Sequence, residues 1–193
     1  MNKLEKIKKE NIKEHIPIIM DDALEKIYET IGNQKLDSIL EIGTAHGYSA
    51  LCFSKMLSEN GKIDTIEKSS ENVIVAKKNI ELMKMEDRIN IIEGDAVDVL
   101  KTLNKKYDMI FIDAAKGKYP VFLEESLRLI KKGGIIFADN ILYKGYVMSD
   151  YNKHKQRTAV THLREYIKQV TENEKIDTKI FDVGDGLAIS RVL

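Results

Sequence analysis

Five short apolar runs, each ending at or beside an acidic residue, constrain this chain most. They read DSILEI (37–42), KIDTIE (62–67), RINIIEG (88–94), YDMIFID (107–113) and GGIIFAD (133–139). Between them, SALCFSKMLSEN, SSENVIVAKKNIELMKM, AVDVLKTLN and YPVFLEESLRLIKK carry apolar residues at a helical spacing of roughly 3.6. Strands that are apolar along their length and separated by helices form a parallel sheet covered on both faces.

The tail departs from this pattern. After a helix over about 155–172, KIDTKIFDV and GLAISRVL face each other across Gly184-Asp185-Gly186, a hairpin signal. The expected fold is therefore α/β, Rossmann-like and doubly wound, with a seven-stranded, mostly parallel sheet and an antiparallel C-terminal strand. With no internal repeat or low-complexity linker, residues 1–193 read as a single domain, the helices of 1–32 forming an appended cap. That cap is a charged lead-in over about 2–15, a turn at Pro17 and a helix running to Gly32.

In such sheets ligands bind beyond the carboxyl ends of the strands. Those ends carry Glu41, Glu67, Gly94-Asp95, Asp113 and Asp139-Asn140. One such acid alone is usually a helix N-cap. Five along one edge favour a polar site.

Charge and cysteine usage narrow the class. Lysine plus arginine and aspartate plus glutamate number 31 each, so net charge draws the whole chain to neither nucleic acid nor membrane. The single cysteine, Cys52, sits in an apolar helical stretch and reads as a small buried hydrophobe, so no disulfide framework is expected. No run reaches the roughly 18 apolar residues of a membrane span, and the basic N-terminus lacks the apolar core of a leader, so a cytoplasmic protein is expected.

The stretch LEIGTAHGYSA (40–50) carries the most chemistry. A dinucleotide loop needs G-x-G-x-x-G, whereas here Gly43 and Gly47 stand four apart with Ala45 between them, so the signal for NAD is weak. A loop of this kind can instead hold an amino-acid and nucleoside ligand without phosphate. Gly43 permits the turn and a close approach. Ser49 offers a hydroxyl and amides to a carboxylate. Glu67, 24 residues beyond Gly43, is placed to hold ribose hydroxyls, and Asp95 could contact an adenine amino group.

Asp113, Asp139 and Asn140 read in two ways. On neighbouring strands they bring two carboxylates and an amide carbonyl together, a set suited to a hard divalent ion. Otherwise Asp139-Asn140 is a turn and Asp113 a cap. The histidines, His15, His46, His154 and His162, show no metal spacing, although His46 lies in the ligand loop. A G-x-S-x-G nucleophile elbow is absent.

Taken in order, E-I-G-T-A-H-G-Y-S, I-E-K, G-D-A, I-D-A-A-K-G-K-Y and A-D-N resemble the cation-dependent class I O-methyltransferases, the catechol and caffeoyl-CoA group. The likeness runs from about Ile16 to the closing G-D-G-L of 184–187. It implies S-adenosylmethionine held about Glu41, Gly43, Ser49, Glu67, Asp95 and Asp113, with Met20 and Tyr48 as neighbours. It also implies Mg²⁺, or Mn²⁺ or Ca²⁺, on Asp113, Asp139 and Asn140. Lys116 matches the general base, and a homodimer is typical of the group. Lys118 reads as a solvated lysine.

For the acceptor, HIPIIM, DNILYKGYV and the following K-x-x-R-T look like the bacterial tRNA 5-hydroxyuridine methyltransferases, a branch of the same family. From Lys144 to Lys168, six basic residues (Lys144, Lys153, Lys155, Arg157, Arg164 and Lys168) face only Asp150 and Glu165. The first fifteen residues add five lysines against three glutamates. Such a patch suits phosphates, although a solvated helix face reads the same way. The wobble base of an anticodon loop can be splayed out, and Tyr143, Tyr146 or Tyr151 could stack on it. The favoured expectation is methylation of 5-hydroxyuridine at the tRNA wobble position to 5-methoxyuridine. The alternative is a small catechol-like or CoA-linked vicinal dihydroxy compound. A binding module without catalysis and an NAD oxidoreductase are rivals from other classes.

Overall fold

The computed structural model describes residues 3–150 and 156–193. Tyr151, Lys153, His154 and Lys155 lie outside the described residues. The strands are β1 (Leu36–Ile42), β2 (Leu57–Glu67), β3 (Ile89–Glu93), β4 (Tyr107–Ile112), β5 (Ile130–Ala138), β6 (Ile176–Phe181) and β7 (Leu187–Val192). They form one sheet in the order β3-β2-β1-β4-β5-β7-β6, parallel from β3 through β5, with β7 antiparallel to both its neighbours. The expected doubly wound sheet with an antiparallel C-terminal strand is what the chain forms.

Side chains alternate across the sheet and build two cores. Ile39, Ile63, Met109, Phe111, Ile135 and Phe137 face one way, towards α1 (Lys3–Lys13), α2 (Asp21–Ile31), α3 (Tyr48–Phe53) and α4 (Ser70–Leu82). Leu40, Ile42, Ile66, Ile110, Ile112 and Ile136 face the other, towards α5 (Ala96–Thr102), α6 (Tyr119–Leu129) and α7 (Arg157–Glu172). Phe53 and Phe111 meet edge to face at 4.9 Å, and burying each ring is worth roughly 2–3 kcal/mol.

Two boundaries differ from the sequence reading. The helix expected across SALCFSKMLSEN stops at Phe53, tightens into one 3₁₀ turn, and gives way to β2 at Leu57. β1 and β2 pair at Leu36↔Leu57 and again at Ser38↔Lys62, so the polar 58–61 segment bulges from the ladder. Gly61 makes the bulge possible, since a Cβ there would lie 2.5 Å from the Leu36 carbonyl oxygen. β5 likewise starts early, at Ile130, with its own irregularity opposite Tyr107–Met109.

At the carboxyl edge the chain after β5 crosses to the β6–β7 turn. Ile141 and Leu142 donate backbone hydrogen bonds to the carbonyls of Gly186 and Asp185 at 3.0 and 2.9 Å. Lys144 N donates to Asp185 Oδ1 at 2.5 Å, and Arg164 of α7 donates to the Val147 and Ser149 carbonyls. Asn140, Tyr143, Lys144 and Gly145 are all left-handed, which makes this rim tightly folded.

Candidate active site

A cavity of about 530 Å³ opens along the carboxyl edge, over β3, β2, β1 and β4. Gly43, Glu67, Asp95, Asp113 and Lys116, delivered by the carboxyl ends of four strands, all line it.

The loop after β1 shows why glycine is required at position 43. Gly43 has φ +103, and a Cβ there would stand 2.1 Å from the Asp113 carbonyl oxygen. The close approach is thus made to the neighbouring strand's backbone. Further along, Ala45 N donates to Glu67 Oε2 and Ser69 N to Glu67 Oε1, both at 2.8 Å. Glu67 is thereby turned towards the Gly43 loop with both oxygens fixed, and each keeps a lone pair for a ligand hydroxyl.

Glu41 stands one layer behind the cavity, fully buried. Ser49 Oγ donates to its Oε1 and Thr65 Oγ1 to its Oε2, both at 2.5 Å. Thr65 has only one proton to give, so Thr44 must donate across the 2.6 Å Thr44–Thr65 contact. Ser49, expected to offer its hydroxyl to a ligand carboxylate, spends that proton on Glu41. Burial pushes the Glu41 carboxyl up to about 7, against the two hydroxyl donors and with help from Asp113 and Glu67.

This value lies above the 4.5 of an ordinary glutamate, so the fold favours the protonated form. Its contribution is complete below about pH 4.5 and is lost as pH rises through about 7, an effect of roughly 3 kcal/mol. Urea melts of Glu41→Gln are expected to lose less stability than the parent between pH 5 and pH 8 (about the range of that titration). Parallel pH profiles would dismiss Glu41 as the titrating group.

Several predicted neighbours are placed differently. Met20 is 54% exposed and turned outward, near Gly184, whereas Ile19 is buried. Pro17, Ile18 and Ile19 of the segment before α2 line the cavity wall where Met20 was expected as a neighbour. Tyr48 lines the cavity but is largely buried. Asp95 caps α5 through Val97 N at 3.0 Å and pairs with Lys68 at 2.8 Å. Its carboxylate is held below the usual range first by Lys68 and then by the Val97 amide. It serves as N-cap and ion pair as well as wall. Lys118 is exposed, as expected of a solvated lysine, and also lines the cavity. Burial lifts the Cys52 thiol to about 11, consistent with an inert core residue.

At the β4–β5 end, Asn140 Nδ2 donates to Asp113 Oδ1 at 3.0 Å, and Asn140 N donates to Asp139 Oδ1 at 2.7 Å. Asp139 is 3% exposed, and Tyr119 Oη fixes its backbone carbonyl at 2.7 Å. Burial, then the Asp113 charge, pushes Asp139 up to about 7; burial also raises Asp113, against Lys116 and Asn140. Two adjacent carboxyls that resist sharing negative charge are a place for a proton or a cation. Among the described residues no group of three or more His, Cys, Asp and Glu forms a metal site. The set here is two aspartates completed by an amide, whose oxygen reaches the same spot when the group is flipped. These oxygen donors fit a hard divalent ion. Lys116, in a 3₁₀ turn (116–118), lies with Nζ 5.9 Å from the Tyr143 ring centre.

Sequence reasoning missed Asn11, Thr44, Thr65 and Phe122. Asn11 carried a visible signal: with Leu4 and Ile7 it lies on the buried stripe of α1, a polar residue at a core position.

Comparison with known proteins places this geometry. A family model described as O-methyltransferase matches residues 3–193. A catechol O-methyltransferase of Niastella koreensis is 34% identical over 164 residues, covering 80% of this chain and 73% of its own. A caffeoyl-CoA O-methyltransferase of Populus kitakamiensis is 30% identical, covering 80% and 69%. The crystal structure of a Bacillus cereus O-methyltransferase in complex with SAH superposes with a TM-score of 0.87 at 27% identity, over 99% of this chain and 90% of that one. With its carboxyl-edge cavity and strand-end acids, the chain belongs to the S-adenosylmethionine-dependent O-methyltransferases of the catechol and caffeoyl-CoA type.

Proposed function

We propose that this protein is a divalent-cation-dependent methyltransferase acting on one of two adjacent oxygens of a small catechol-like or CoA-linked acceptor. The observation that carries this is the meeting of Asp113, Asp139 and Asn140 beside Lys116, at one end of the cavity holding Gly43 and Glu67. Residues 1–193 act as one catalytic domain, with 1–32 as its cap.

Supplied from outside the chain are a sulfonium methyl group and a Lewis-acidic cation that lowers the pKa of a bound hydroxyl. The protein's own groups do the rest. Glu67 accepts from ribose hydroxyls while its position is held by Ala45 N and Ser69 N. Asp113, Asp139 and the Asn140 amide oxygen would hold the cation. Lys116 takes the acceptor's proton at Nζ, so that the oxygen forms its bond to the methyl carbon as the C–S bond breaks. Proximity of the two reactants accounts for much of the rate.

The tRNA wobble reading competes on acceptor alone. Of its six basic residues, Lys153 and Lys155 lie outside the described residues, and Arg164 is committed to backbone carbonyls of its own chain. The relatives named above are designated for small phenolic acceptors. The deciding experiment offers catechol, caffeoyl-CoA and hydroxyuridine-bearing tRNA side by side, with and without chelator. Methyl transfer to a dihydroxyphenol, abolished by chelator and restored by Mg²⁺, is expected. Transfer to tRNA alone would move the acceptor to RNA, and transfer undiminished by chelator would remove the cation.

A further inference from the structure

α1 approaches the cavity through Asn11, which is 2% exposed and yet lines the wall. Its Oδ1 lies 2.9 Å from His46 Nδ1. With the amide oxygen presented to the ring, as placed here, this contact requires the His46 proton on Nδ1. That bond fixes the amide with Nδ2 turned away from the imidazole. Nδ2 has no hydrogen-bond partner. A buried amide donor left unpaired costs about 1–3 kcal/mol, and the fold has gone to some trouble to hold this one still. The Asn11 carbonyl accepts from Ile16 N at 2.9 Å, turning the chain back so that Pro17–Ile19 pass over the cavity. Asn79 Nδ2 braces His46 from the other side through its carbonyl at 2.9 Å.

The position of Asn11 along the cavity says what it meets. Glu67 marks the ribose, and the β3 end with Asp95 lies one strand beyond it, so the base extends that way. The amino-acid arm must extend away from the base, towards the Gly43–Ser49 loop and the segments of the N-terminal cap. There Ser49 has already given its hydroxyl proton to Glu41. Resting on the cofactor reading above, we propose that Asn11 is a cofactor-binding residue whose Nδ2 donates to the carboxylate of the methionyl arm. Through it the N-terminal helix becomes part of the donor site, with His46 as the positioning residue that orients the amide.

Two ligands separate this role from a packing role. S-adenosylhomocysteine carries the amino-acid arm, and 5′-methylthioadenosine lacks it. Calorimetric Kd values are compared for the parent, Asn11→Ala and the isosteric Asn11→Asp. A hydrogen bond to a charged acceptor predicts that Asn11→Ala weakens S-adenosylhomocysteine about 10- to 100-fold, with 5′-methylthioadenosine unchanged. Asn11→Asp, which sets one carboxylate against another, should weaken the former at least as much. Unchanged 5′-methylthioadenosine affinity reports an intact cavity in both variants. Equal losses for the two ligands, or no loss for either, would overturn the assignment of Asn11. Failure of the parent to bind either ligand would instead remove the cofactor reading, and the proposal with it.

Discussion

Lys116→Met is expected to lower kcat by about 10²–10⁴-fold while leaving the Kd for S-adenosylhomocysteine within error of the parent. The side chain emerges from the 3₁₀ turn (116–118) directly after the strand that delivers Asp113, and the Tyr143 ring bounds it on one side. Methionine keeps most of the aliphatic stem and removes only the amine proposed to take the acceptor's proton. Single-turnover kinetics with preloaded donor measure the chemical step directly. A variant with parental single-turnover rate would show that the acceptor loses its proton elsewhere.

Gly43→Ala is expected to be the most damaging single methyl group in the chain. The new Cβ would stand 2.1 Å from the backbone oxygen of Asp113, just past β4, an atom that no side-chain rotation can withdraw. It would also force alanine to φ +103. Overpacking and backbone strain together predict a loss of about 3–5 kcal/mol, or roughly 10 °C in Tm for a domain of this size. Because the clash lies between the ends of β1 and β4 at the wall of the proposed donor cavity, the variant should also fail to bind S-adenosylhomocysteine after cooling to a temperature where it is folded. Thermal melts and calorimetry check both. Gly133→Ala separates the two costs: its φ is also positive, at +74, but a Cβ there meets nothing within 4 Å, so it should show only the backbone strain of about 1–2 kcal/mol.

How far the sequence revealed this molecule depended on which forces act at each place. The sheet was legible because the carboxyl halves of β1, β4 and β5 are buried on both faces and therefore mostly apolar, and helices of different period interrupt them. The strand ends were legible for the same reason: Glu67, Asp95 and Asp113 follow such runs to the cavity edge, whereas Glu41, one residue inside β1, is buried behind it. The start of β2 was hidden because its first residues, Ser58–Asn60, are polar and leave the ladder at a bulge. Met20 went astray at the level of a single side chain, and Asp95, which does line the cavity, has further ties as cap and ion pair. Nothing in a one-letter string says which of two consecutive residues in an extended segment turns inward, or that Lys68 will reach Asp95 from across a strand. Asn11 was the reverse case, a polar residue on an apolar stripe whose meaning emerged only with the neighbour at 2.9 Å.

The rim after β5 takes its footing from Asp185, Gly186 and Arg164, none of which lines the cavity. A Cβ at Gly186 would meet Leu142 at 2.3 Å, so this footing is close-fitting. Between those moorings, the Tyr143 ring centre lies 5.9 Å from Lys116 Nζ, and none of residues 143–149 lines the cavity that holds Gly43, Glu67 and Asp113. Under the proposed function, acceptor preference and donor affinity are therefore separable heritable traits. Laboratory selection on this short span is expected to exchange one acceptor for another while the surroundings of Gly43 and Glu67 stay as they are.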